Sequence, residues 1–176
     1  MIIPDPLRPP LCLVIDTNVL LLLIGYQCSQ LENTGPLERT RVLNKIRGRD
    51  DISPDRFDDL WQLFQSAKRR IVTEHVIAET YGLRERLPHR KDLVWRGAIK
   101  LLTDPGIEEL SCRVKEVDEK TGYGKILTEL GPADAGLLYT AEREKATLIT
   151  DDGQLVHWAG VRSVPAVSLH QIGGRR

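Results

Sequence analysis

The most apolar stretch of the chain, LCLVIDTNVLLLLIG at residues 11–25, carries Asp16 near its middle, with Thr17 and Asn18 directly behind it. A carboxylate in such company costs roughly several kcal/mol unless something pairs with it. The conflict is removed if the run is three pieces. LCLVI is short, apolar and partly β-branched, and reads as a strand buried on both faces, as in a parallel sheet. DTN supplies a polar turn of capping residues, and VLLLLIGY reads as the helix that follows. Asp16 then sits at the carboxyl end of a strand. A membrane span fits poorly: the run from Leu11 to Ile24 is short and would bury Asp16 in hydrocarbon. The preceding MIIPDPLRPP has four prolines, one arginine and no basic cluster, so it lacks the charged start of a signal peptide. The expectation is a cytoplasmic protein without a membrane segment.

At 176 residues, with 41% hydrophobic and 28% charged, the chain fits one compact domain over residues 1–176 with ample core. Its 25 basic and 25 acidic residues cancel. Net charge therefore neither points to nucleic acid nor excludes it, because a local basic patch suffices. Cys12, Cys28 and Cys112 are odd in number and lack CxxC spacing, which argues for packed, reduced thiols and against zinc or a disulfide framework.

The strand–turn–helix pattern recurs. Residues 29–70 form a charged, helical insertion with two helices. The second starts at SPDRFDDLWQLFQ, with Ser53 as cap, Pro54 at the first position and Phe57, Leu60, Trp61 and Phe64 at helical spacing. RIVTEHVIAETYGLRERL reads as a short strand, Thr73 as cap, and a helix with Glu79 on its second turn. Another helix is predicted over KDLVWRGAIKLLTD and a strand over LSCRVKEV. GPADAGLLYTAEREKA starts a helix at Pro132 with Asp134 in its first turn. TLITDDG is a strand ending in two acids, and VRSVPAVSL supplies a last strand or two. Alternation of this kind predicts an α/β fold with a mostly parallel central sheet.

Asp16 and the pair Asp151/Asp152 follow strands directly, whereas Glu79 and Asp134 lie early in helices that begin near strand ends. Ligands of open α/β sheets bind beyond the carboxyl ends of the strands, so these acids should gather on one rim. Neighbouring carboxylates raise one another's pKa, and a hard divalent cation is their natural compensation. Such a cation, Mg²⁺ or Mn²⁺, can activate water and offset charge developing on a phosphodiester. Singly, each acid has an ordinary structural reading: an Asp can do no more than cap a helix, and Glu79 can be an exposed helical residue or one salt-bridged to Arg84 or Arg86. The ordered set favours the metal.

On these motifs the chain resembles the PIN-domain family, the fold of many metal-dependent ribonucleases, including toxins of the VapC type. VIDTNVLL is similar to the family's opening motif, VTEHVIAETYGLR to its second, GPADAGLLYTA to its third and LITDDG to its fourth. The resemblance implies a three-layer α/β/α sandwich in which Asp16, Glu79, Asp134 and Asp152 bind one or two Mg²⁺ or Mn²⁺ ions, with Asp151 as a further candidate. Asn18 and Thr150 are supporting residues. It also implies hydrolysis of RNA by water attacking in line, leaving a 3′-hydroxyl and a 5′-phosphate. A toxin would come with an antitoxin-like inhibitor, and a homodimer is expected. The segment between Asp16 and Glu79 is longer than in the compact toxins.

For grip on RNA phosphates the candidates are Lys68, Arg69 and Arg70, and Arg84, Arg86, Arg90 and Lys91, each with a solvated helix face as its plain alternative. His75, one turn from Glu79, is assigned a surface or packing role. A phosphatase of the haloacid dehalogenase type would need a second Asp two residues after the first, where Asn18 stands. A receiver domain needs its acid pair after the first strand, not at the end of one of the last. The remaining rival is a catalytically silent PIN-like module that binds RNA or protein.

Overall fold

The computed structural model describes residues 11–48, 53–120 and 122–172. Five parallel strands form one sheet: β1 (Cys12–Ile15), β2 (Arg69–Thr73), β3 (Ile107–Leu110), β4 (Thr147–Thr150) and β5 (Ala166–Ser168), in the order β3-β2-β1-β4-β5. Among the described residues nine α-helices surround it: α1 (Thr17–Leu31), α2 (Pro36–Arg47), α3 (Pro54–Ser66), α4 (Glu74–Leu83), α5 (Lys91–Leu102), α6 (Val114–Asp118), α7 (Tyr123–Leu130), α8 (Pro132–Glu144) and α9 (Gly153–Val161). The chain runs outward from β1 through β2 to β3, then returns to β4 and β5. Right-handed crossovers therefore put α1–α5 on one face and α6–α9 on the other. The result is a three-layer α/β/α sandwich.

The opening run divides as its residue types require. All four residues of β1 are buried, and α1 is buried nearly all round, since a helix apolar on every side can only lie inside. Helices α2, α4 and α5 cover it. Close approach needs small residues: a Cβ at Gly97 of α5 would lie 2.7 Å from the Cys28 sulfur, and one at Gly25 would lie 2.7 Å from Cδ1 of Ile46. All three cysteines are free and buried.

The charged segment supplies α2 and α3, but its limits are tighter than 29–70. Ser29–Leu31 close α1, Arg69 and Arg70 begin β2, and residues 49–52 lie outside the described set. It packs on the core: Leu43, Ile46, Phe57, Leu60 and Phe64 are buried, and Trp61 stacks on Tyr26 with centroids 4.9 Å apart. The aromatic face of α3 is thus covered by its own chain.

One strand expectation needs correction. LSCRVKEV is not a strand; β3 ends at Leu110, and Val114–Asp118 is helical. Its predecessor IEEL forms the strand instead, an edge whose Glu108 and Glu109 escape the apolar rule because among the described residues one flank has no neighbouring strand. VRSVPAVSL yields one strand, Ala166–Ser168. Among the described residues no helix is long and apolar enough to cross a membrane.

Candidate functional site: an acidic rim at the switch point of the sheet

Strand order reverses between β1 and β4, and ligands of doubly wound sheets bind beyond the carboxyl ends at such a point. Asp16 leaves β1 there, its backbone N–H donating to the Ile149 carbonyl at 3.1 Å. It occupies the capping position of α1 yet makes no side-chain cap bond. Its Oδ2 instead accepts from the Thr150 hydroxyl at 2.8 Å, with Thr150 fully buried and Asp16 4% exposed. The capping explanation of Asp16 therefore fails. It holds for Asp152, whose Oδ1 accepts from the amides of Gln154 and Leu155 at the start of α9. Thr150 links the two, because its Oγ1 also accepts from the Asp152 amide at 3.0 Å.

Glu79 comes from α4, a helix capped by the Thr73 hydroxyl. Its Oε2 accepts from the Thr17 hydroxyl at 2.8 Å, which ties α4 to the first residue of α1. Glu79 is exposed, as its ordinary structural reading expects, but among the described residues it pairs with neither Arg84 nor Arg86. Asp134 enters from the first turn of α8, where Gly131, at φ +82°, and Pro132 start the helix.

The electrostatics show that the four acids share one field. Burial raises the pKa of Asp16, the Thr150 hydrogen bond and the Thr17 backbone lower it, and the charges of Glu79 and Asp152 raise it again. Asp134 is pushed up to about 6, first by burial and then by the charges of Asp16, Asp152 and Glu79. Among the described residues no lysine, arginine or histidine forms an ion pair with any of the four. This all-oxygen, uncompensated donor set suits a hard divalent cation. As the side chains stand, however, no three metal-ligating groups among the described residues are placed to hold one ion. One oxygen each of Asp16, Glu79 and Asp152 is engaged by Thr150, Thr17 and the α9 amides, so a cation would recruit the others.

Asp151 separates from this group. It forms two hydrogen bonds with Arg47 of α2, at 3.0 and 2.8 Å, and lies 3.7 Å from Nε2 of His170. The Arg47 side chain is only 3% exposed. The pair spans 104 positions and Arg47 belongs to no motif, so nothing in the sequence announces it. Thr17 was in plain view inside DTN, but as a capping residue instead of a partner for Glu79. Arg47, Asn18, Arg86, Asp151, Asp152 and Gly153 line a polar pocket of about 340 Å³ beside the rim.

The basic candidates divide as well. Lys68, Arg69 and Arg70 stand at the amino end of β2, a strand's length of roughly 15 Å from the rim. Arg69 pairs with Glu108 and Glu144, while Arg70 pairs with Asp104 under Phe64. They do not reach a substrate held at the acids, because a parallel sheet puts strand starts and strand ends on opposite sides. Arg84 lies over the Tyr81 ring at 4.1 Å and lines an apolar groove of about 400 Å³ between α4 and α5. That groove takes Ile77, Ala78 and Tyr81 from α4; Glu79 projects from the other side of the helix. Arg90 and Lys91 pair with Asp92 and Glu85 on the surface. Of the basic candidates, Arg86 stands beside the acids. His75 contacts the Cys112 carbonyl at 3.1 Å, a packing role.

Compared with known proteins, the chain matches no protein-family model and no curated protein.

Proposed function

We propose that the protein is a metal-dependent endoribonuclease of the PIN-domain type, acting in the cytoplasm. Its support rests above all on Asp16: a buried carboxylate, held by Thr150, that caps nothing and has no cationic partner among the described residues. Asp16, Glu79, Asp134 and Asp152 would hold Mg²⁺ or Mn²⁺. The cation supplies activation of water and stabilisation of the charge that develops on the phosphodiester. The chain's residues do the positioning. Thr150 fixes Asp16 and the Asp152 amide together, Thr17 fixes Glu79, and the α9 amides hold one oxygen of Asp152. Asp134, at a pKa of about 6, can carry a proton near neutrality until a cation replaces it.

Incubation with mixed single-stranded RNA and Mn²⁺ tests this. Fragments with 5′-phosphates are expected, and excess EDTA should stop their formation. Cleavage that persists in EDTA would contradict the reading. One observation favours a second reading, a PIN-like module that binds RNA without cutting it: the unassembled state of the four carboxylates. RNA binding with no cleavage at any Mn²⁺ concentration would select it. A toxin's role requires an antitoxin-like inhibitor, and co-purification of the native protein, with its oligomeric state measured alongside, tests that role and the expected homodimer.

A further inference from the structure

The polar pocket beside the rim has a distinctive charge arrangement. Arg47 on its wall is nearly fully buried and bound to one oxygen of Asp151, so the charge of Asp151 is partly answered. Arg86, on the turn after α4, is exposed and forms no ion pair or hydrogen bond among the described residues. Asn18, also exposed, and Gly153, the first residue of α9, complete a wall able to donate to an anion. Asp152 closes one side, so an anion seated here lies immediately next to the acidic rim.

We propose that this pocket is a subsite for the phosphate adjoining the cleaved bond, in which Arg86 binds the phosphate and Arg47, by holding Asp151, keeps that carboxylate from repelling it. The inference rests on the ribonuclease reading for the identity of its ligand, a single-stranded RNA. It also assigns a task to the charged segment after α1: α2 brings Arg47 to the site from a part of the chain with no acidic motif.

Binding of a fluorescein-labelled decauridylate is measured by anisotropy in EDTA over a range of salt concentrations, with the wild type, Arg86→Ala and Asp151→Asn. Arg86 is exposed, so its loss leaves folding intact. Arg86→Ala should weaken binding by about three- to tenfold and reduce the salt slope by about 0.7, the share of one phosphate contact on a single strand. Asp151→Asn removes a negative charge from the pocket wall and should tighten binding and steepen the slope. In Mn²⁺ cleavage assays Arg86→Ala should raise KM with kcat little changed. Unchanged affinity and slope in Arg86→Ala, or weaker binding in Asp151→Asn, would overturn the subsite. Wild type that cleaves while Arg86→Ala matches it removes the subsite and leaves the nuclease. An Arg86 effect on binding without any cleavage does the reverse.

Discussion

Asp16→Asn should lower Mn²⁺-dependent RNA cleavage on the order of 10²–10³-fold, the loss typical when one preorganised electrostatic partner is removed, while the protein stays folded. The substitution is close to isosteric, and the Thr150 hydroxyl can still donate to the remaining carbonyl oxygen, so the β1–β4 corner keeps its geometry. What disappears is the negative charge. Burial raises the pKa of Asp16 and so disfavours that charge, and Glu79 and Asp152 add repulsion. The metal-free variant should therefore melt at or above the temperature of the wild type. Most ligand substitutions in a packed core lower stability; here activity and stability should part company. Cleavage measured beside thermal melting in EDTA checks both. A variant that loses activity because it unfolds would leave Asp16 as a structural residue.

The second large effect concerns pH. Asp134 titrates at about 6 in the folded protein against an ordinary value of 3.8. Between those values the folded form keeps a proton that the unfolded chain has released, so stability falls as pH rises across the window. The cost is fully present above about pH 6 and absent below about pH 4. Asp134→Asn cannot ionise and should remove the fall. At pH 7 the gain for the metal-free protein is on the order of 1–2 kcal/mol, after discounting for solvent that reaches a partly exposed group. Urea unfolding at pH 4.5 and 7 in EDTA measures it. The variant should be the more stable at pH 7, with roughly a third of that gain left at pH 4.5, and it should not cleave RNA. Equal stability at both values would remove Asp134 from the shared field.

The parts of the fold and rim carried by local signals were legible in the sequence. The β1–α1 split followed from a carboxylate that could not stay inside an apolar run. The start of α8 at Pro132 and the capping role of Thr73 followed from residue types at helix starts. That Asp16, Glu79, Asp134 and Asp152 feel one another's charge followed from parallel-sheet topology, which sends all strand ends to one side. Long-range pairing was beyond reach. Nothing local joins Arg47 to Asp151 or Thr17 to Glu79, and the basic run Lys68–Arg70 looked suited to phosphate only while its end of β2 was unknown. The shift of β3 to IEEL has the same origin. An edge strand is fixed by the partner it pairs with, here β2 through Arg70↔Ile107 to Thr73↔Leu110, and its own side chains carry little of the signal.

Calorimetric titration of the wild-type chain with Mn²⁺ at pH 6, run in two buffers of different ionisation enthalpy, tests the metal site most directly. Saturable binding of one or two ions per chain is expected, with proton release that falls in Asp134→Asn, because a cation entering the rim displaces the proton held by that carboxyl. No binding at millimolar Mn²⁺, or binding without proton release, would contradict a cation shared by the four acids.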